Sequence, residues 1–208
     1  SLHEGSSPVK MALPGRHYSA ISEVRFSRTG RWMTSHESTG APLLWHLEGP
    51  EMKAYPLADV VAYSRSEAER DSRDSQSYIV GTTDFKFTSD EEWLVTGSPD
   101  GVRLWWLAHF PPRPILLSGC EGGITAVTLS RDDRYVFASS GGGQVRRWPL
   151  GHGISSADPI SAPDTQVGHI WKLAFSPSGR HLAVFANGIM GLTKTSLLTV
   201  PANILGER

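Results

Sequence analysis

The 208-residue sequence has 39% hydrophobic and 20% charged residues, which is typical of a folded globular chain and argues against a disordered one. Its formal net charge of −1 gives no strong field for attracting nucleic acid or an anionic membrane surface. The single cysteine, Cys120, excludes an intrachain disulfide and a cysteine-rich metal site, and favours a cytoplasmic location. No apolar run approaches the roughly 20 residues needed to cross a bilayer, so we expect no membrane partner.

Residues 21–47 contain the first predicted elements, a set of three strands. Val24 and Phe26 alternate with polar neighbours, as in a strand with one buried face. The polar turn that follows ends at Gly30, which tolerates a positive φ. A second apolar run and a third that ends at Trp45 complete the set. Similar segments at residues 8–11, 54–57 and 114–117 are predicted to be outer strands.

A charged segment at residues 63–78 interrupts this pattern. It mixes Ser, Arg, Asp and Glu and has almost no apolar residue, so we predict a solvated insertion on the surface. The alternative is a loop that binds a partner or is phosphorylated, since loops on rigid scaffolds often carry function.

The three-strand arrangement recurs along the rest of the chain. Equivalent apolar positions follow one another at spacings of 61, 42 and 46 residues, and the longest spacing includes the charged insertion. In three units a Trp follows its apolar marker by 19, 18 and 19 residues. The markers are Phe26, Phe87, Leu129 and Phe175, and the tryptophans are Trp45, Trp105 and Trp148.

The second unit carries the most specific motif. Its segment Leu94-Val-Thr-Gly-Ser-Pro-Asp-Gly-Val-Arg-Leu-Trp-Trp resembles the repeat of the WD-repeat family, and the similarity extends over residues 8–200. The resemblance implies an all-β fold, a β-propeller of four-stranded antiparallel blades with about four blades in this chain. We therefore expect one propeller or propeller segment over residues 1–208, with repeats at 17–60, 78–117, 120–160 and 168–200.

Members of this family join a His, a Ser or Thr, a turn Asp and the Trp by hydrogen bonds within each blade. The pattern is incomplete here, because the second unit has Thr82 and Thr83 at the place of the His and the third has glycines at 141–143 at the place of the Asp. The resemblance implies structural roles for His17, Trp45, Thr96, Asp100, Trp105, Trp148 and His169.

The number of repeats leaves the closure of the ring open. Propellers of this family are often rings of about seven or eight blades, and an open end would expose apolar faces and strand edges. Three alternatives follow: a piece of a longer propeller, a homodimer that completes a ring, or a closed ring of four blades.

No catalytic, metal or cofactor motif is found. The glycines at 141–143 precede a strand-like segment rather than a helix, which argues against a phosphate loop. The histidines lack metal-site spacing, and no nucleophile elbow is present. Arg103, Arg146 and Arg147 are expected on a solvated face, with no nucleic acid bound. We therefore expect neither an enzyme nor a cofactor.

The resemblance implies an interaction scaffold or sensor module, part of a larger signalling or regulatory protein, and the style of the repeats suggests a bacterial one. The alternatives are a lid of an enzyme whose catalytic domain lies elsewhere and a sensor of small ligands. Trp106 must face away from its neighbour Trp105 and so is available for contact. The predicted partner-binding residues are Trp106, His109, Phe110, Arg113 and Trp171.

Overall fold

The structure, a computed structural model, describes residues 17, 20–37, 42–48, 52–57, 84–98, 100–109, 111–117, 123–151, 160–161, 169–187 and 193–199. The chain divides into two compact units, Ser1–Leu57 and Ala58–Arg208. The predicted insertion at 63–78, the predicted outer strand at 8–11 and Phe110 lie outside the described residues.

The first unit contains one antiparallel sheet, sheet 1. Its strands are β1 (Ile21–Phe26), β2 (Trp32–Glu37), β3 (Leu43–His46) and β4 (Lys53–Pro56), and they pair in chain order. Val24 lies opposite Ser35 and Phe26 opposite Met33, so the apolar side chains of β1 share one face with these residues of β2.

The second unit contains three antiparallel sheets, again with their strands in chain order. Sheet 2 has β5 (Asp84–Phe87), β6 (Trp93–Ser98), β7 (Gly101–Trp106) and β8 (Pro114–Leu117). Sheet 3 has β9 (Ile124–Leu129), β10 (Tyr135–Ser140), β11 (Val145–Pro149) and β12 (Ile160–Ser161). The described strands of sheet 4 are β13 (Ile170–Phe175), β14 (His181–Asn187) and β15 (Thr193–Thr199). These sheets confirm the all-β prediction.

The turn between the first two strands has the same geometry in all four sheets. A hydroxyl at the start of the turn accepts a hydrogen bond from the backbone N–H five residues later, at 3.0–3.1 Å. The fourth residue of each turn has a positive φ, between 54° and 81°. The pairs are Ser27 with Trp32, Thr88 with Trp93, Ser130 with Tyr135, and Ser176 with His181. Side-chain chemistry thus fixes each hairpin.

Two apolar clusters hold the sheets of the second unit together. Between sheets 2 and 3, Trp93, Val95, Val102 and Leu104 pack with residues of β9 and β10 and with Trp148. Between sheets 3 and 4, Phe137 and Val145 pack with residues of β13 and β14. Sheet 2 therefore covers the first strand of sheet 3, and sheet 3 covers the first strand of sheet 4.

Candidate protein interface

The tryptophans at the next-to-last positions of β3, β7 and β11 are buried, and two of them donate a hydrogen bond to a hydroxyl of the second strand. In sheet 2, Nε1 of Trp105 donates to Oγ1 of Thr96 at 2.9 Å. In sheet 1, Nε1 of Trp45 donates to Oγ of Ser35 at 2.7 Å. His17 contacts the same hydroxyl, with Nε2 2.6 Å from Oγ of Ser35. The structure thus brings together His17 with Trp45 and Thr96 with Trp105.

Sheet 3 is built differently around Trp148. The position that corresponds to Thr96 is Ala138, which has no hydroxyl, and Trp148 is fully buried in the apolar cluster with sheet 2. A hydrogen bond between Oγ1 of Thr125 and Oγ of Ser139, 2.9 Å long, links the first two strands instead. His169 is exposed directly before β13.

Asp100 holds the turn between β6 and β7. Its two carboxylate oxygens accept hydrogen bonds from Nη1 and Nη2 of Arg103 at 2.8 and 2.5 Å, and Oγ of Ser98 donates at 2.8 Å. The hydrogen bond from Arg103 lowers the pKa of Asp100 below its ordinary value, with a smaller contribution from Ser98. These contacts all lie within one hairpin.

The prediction that the arginines of the third strands lie on a solvated face is wrong for two of them. Arg103 and Arg147 are buried rather than on a solvated face. The guanidinium of Arg147 lies 4.6 Å from the centre of the Tyr135 ring, and Arg103 is committed to Asp100. The partly buried Arg146 bonds to Gln144. Because the side chains of Arg103 and Arg147 are buried, the three arginines do not form an exposed basic patch.

Three of the predicted partner-binding residues lie at one corner of sheet 2, which we call the hairpin corner: Trp106, His109 and Arg113. The ring of Trp106 stacks on Trp93 with a centroid distance of 6.3 Å and an interplanar angle of 27°. The ring of His109 lies 4.3 Å from Trp106. Trp106 is half-buried, whereas His109 and Arg113 are exposed. The corner therefore presents polar and aromatic groups above a buried ring.

Trp171 lies in sheet 4, at an irregularity of β13 between Ile170 and Lys172. Its side chain is 46% exposed, and its ring is 5.6 Å from that of Phe185. The two rings lie beside the exposed Lys172 on the face of sheet 4 opposite the cluster that it shares with sheet 3, since Phe185 pairs with Lys172 and not with Leu173.

The strand β1 has an exposed apolar face, whose position in the chain the sequence did not predict. Ile21, Val24 and Phe26 are 53%, 47% and 62% exposed, although their alternation predicts burial. Alternation shows which side chains share a face of the strand, but not whether another sheet covers that face.

Among the described residues, no group of three or more His, Cys, Asp and Glu side chains could hold a metal ion. The same part of the chain has no helix long and apolar enough for a membrane span.

Comparisons with known proteins agree with the repeat. The family model of the WD domain, G-beta repeat, matches residues 112–149. Protein HIR1 of Mycosarcoma maydis is 24% identical over 85% of this chain and 17% of its own length. Target of rapamycin complex subunit LST8 of Saccharomyces cerevisiae is 29% identical over 31% of this chain and 22% of its own length. The chain thus spans less than a quarter of either relative.

A solved structure shows the same fold. The β-propeller domain of Cps50 (Swd1) from Myceliophteria thermophila superposes with a TM-score of 0.60 at 15% identity. The match covers 90% of this chain and 62% of the other. These named proteins come from eukaryotes, so they give the expected bacterial origin no support. The repeat model, the relatives and the fold thus agree with the resemblance to WD-repeat β-propellers that the sequence predicted.

Proposed function

We propose that this chain is an interaction scaffold that binds a protein partner through the hairpin corner. The observation that carries the proposal is a row of three rings: the buried Trp93, Trp106 stacked on it, and the exposed His109, whose ring is tilted by 58° against that of Trp106. A contact group fixed by packing loses little conformational entropy when it binds. Trp and Arg are also the residue types that most often dominate binding energy.

A comparison with sheet 1 shows which of these rings belong to the repeat and which are specific to sheet 2. There, His46 lies over Trp32 with a centroid distance of 4.5 Å, at the positions that correspond to Trp106 and Trp93. The paired rings therefore recur as a feature of the strand pair itself. The loop between β7 and β8 adds His109 and Arg113, and these two residues carry the proposed contact.

We also propose an assembly and a cellular location for the chain. LST8 is named as a subunit of a complex, which supports a role for this chain inside a larger regulatory or signalling assembly. The proposal assigns no reaction to this chain. The single cysteine of the sequence supports a cytoplasmic location.

The test compares three forms of the chain as bait in extracts of the source organism. The double variant His109→Ala with Arg113→Ala removes the exposed contacts, and Arg180→Ala, an exposed arginine of sheet 4, is the matched control. Two hot-spot residues of about 2 kcal/mol each correspond to a loss of affinity of about 1000-fold. We expect the wild type and Arg180→Ala to capture the same proteins and the double variant to lose them. Equal capture by all three forms would refute the hairpin corner as the site.

Trp106 is left unchanged in this test because it packs on the cluster between sheets 2 and 3. Its replacement by Ala would confuse lost binding with lost stability. Trp106→His, which copies the residue at the same place in sheet 1, keeps an aromatic ring over Trp93 and is the suitable additional variant. We expect this variant to stay folded and to bind more weakly than the wild type.

A further inference from the structure

The exposed face of β1 stands out when it is compared with the same strand in sheets 3 and 4. The strands β1, β9 and β13 each have six residues, begin with Ile and share an irregularity after it. Val24 corresponds to Val127 and Leu173, which are 0% and 3% exposed. The equivalents of Ile21 are Ile124 and Ile170, at 1% and 0% exposure.

The preceding sheet covers these positions in both cases. Trp93, Val95, Val102 and Leu104 of sheet 2 form one cluster with Ile124 and Val127. Phe137 and Val145 of sheet 3 do the same for Ile170 and Leu173. The residue types and spacing of β1 thus match a surface that, in this fold, is buried beneath the face of another sheet.

Sheet 4 has a face equivalent to the faces of sheets 2 and 3 that cover the next sheet. Trp171 and Phe185 lie on the side of sheet 4 that corresponds to the side of sheet 2 that covers β9, because Phe185 takes the register position of Gly97. Gly97 leaves no room for a Cβ beneath Ile124. The larger Phe185 prevents an equally close backbone approach, so the contact here would be made by the rings of Trp171 and Phe185.

We propose that the β1 face of one copy of this chain docks on the Trp171–Phe185 face of a second copy. The contact joins different surfaces of the two copies, so it is heterologous and repeats until the assembly closes. Each copy contributes apolar side chains that are otherwise in water, and their burial drives the association. The residues involved do not overlap with the hairpin corner.

The first experiment measures the mass of the intact chain in solution by light scattering at concentrations up to about 100 μM, a range that detects micromolar association. We expect a mass of at least twice the 22.7 kDa of one chain. A folded chain that remains at 22.7 kDa over the whole range would overturn the proposal.

Charge substitutions then identify the two faces. Phe26→Asp and Trp171→Asp each place a carboxylate in one face, and we expect either change to weaken self-association roughly 10- to 100-fold. Leu116→Asp is the matched control, because Leu116 is 47% exposed but lies on the outer strand β8. We expect Leu116→Asp to associate like the wild type. Circular dichroism checks that all three variants are folded.

Mixing the two defective variants tests the heterologous pairing. The Phe26→Asp copy keeps an intact Trp171–Phe185 face, and the Trp171→Asp copy keeps an intact β1 face. We therefore expect the mixture to associate more tightly than either variant does alone. Normal self-association of Trp171→Asp would show that the β1 face pairs with something else, and it would overturn the assigned occupant.

Discussion

The indole of Trp105 shows how a single hydrogen bond joins two strands of a sheet. Trp105 and its acceptor Thr96 are both buried, and the bond between Nε1 and Oγ1 is 2.9 Å long. Because no water reaches the indole N–H, loss of the acceptor leaves a buried donor without a partner. The cost of such a group exceeds the net value of the hydrogen bond itself.

We predict that Thr96→Val lowers the free energy of unfolding by about 1–3 kcal/mol, because Val has the shape of Thr but no acceptor. Thr96→Ser keeps the hydroxyl and loses one methyl group, so its expected loss is about 1 kcal/mol or less. Urea unfolding of the three forms provides the measurement. If the Val and Ser variants were equally stable, the hydrogen bond would not be the reason for this residue.

Part of this network could be predicted at the level of residues. The combination of Thr96 with Trp105 follows from the motif, whereas the motif does not point to Ser35. Ser35 stands three residues after Trp32, as Thr96 stands three residues after Trp93, so the register was readable in the sequence. Only the structure shows that His17 and Trp45 share the Ser35 hydroxyl.

At the scale of elements, the distance between sheets 2 and 3 is set by a residue with no side chain. A Cβ added at Gly97 would lie 2.5 Å from Cγ2 of Ile124 and 2.9 Å from Cγ1 of Val127. Such distances are far below van der Waals contact, so one of the two sheets would have to move. The close approach of β6 and β9 thus depends on glycine at this position.

We predict that Gly97→Ala lowers the free energy of unfolding by about 1–3 kcal/mol through overpacking. Ile124→Ala removes the nearest methyl group and is destabilising on its own, because it leaves a cavity. The double variant should lose less stability than the sum of the two single changes. The methyl group added by Gly97→Ala would fill part of the cavity left by Ile124→Ala, and the smaller side chain at position 124 would remove the overpacking. Strictly additive losses in denaturant unfolding would argue against steric contact between these residues.

Glycine positions in the sequence identify two of the four turns but not the other two. Gly30 and Gly179 mark two of the four turns by their positive φ. Glu91 and Asp133 take the same conformation with φ values of 60° and 54°, although their residue types favour negative φ. The hydroxyl at the start of each turn holds the geometry, and this common element could be found from the aligned Ser and Thr positions.

At the scale of the whole molecule, a repeat fold gains its stability from contacts between neighbouring sheets. Sheets 3 and 4 have such a neighbour on the first strand, whereas the first strand of sheet 1 is exposed along its apolar side. A partner that covers this side binds only the folded chain, and it therefore stabilises the fold by mass action.

We predict that the melting temperature of the wild-type chain rises by several degrees when its concentration is raised 100-fold. Over that range, association adds about 2.7 kcal/mol to the free energy of unfolding. Phe26→Asp should show a smaller rise over the same range, because its β1 face docks more weakly. Differential scanning fluorimetry at several concentrations checks both forms. A concentration-independent melt of the wild type would contradict self-association as a source of stability.

The sequence by itself determined the strands, the turns and their repetition, and its resemblance to the WD-repeat family implied the tie between Trp105 and Thr96. These features depend on alternation and on hydrogen bonds between residues close in the chain, so they are visible in short segments. The tertiary structure alone decided that Val24 is exposed and Val127 buried, although both occupy the same place in similar strands. Burial depends on which sheet lies across the face, and that neighbour is not encoded in the strand itself.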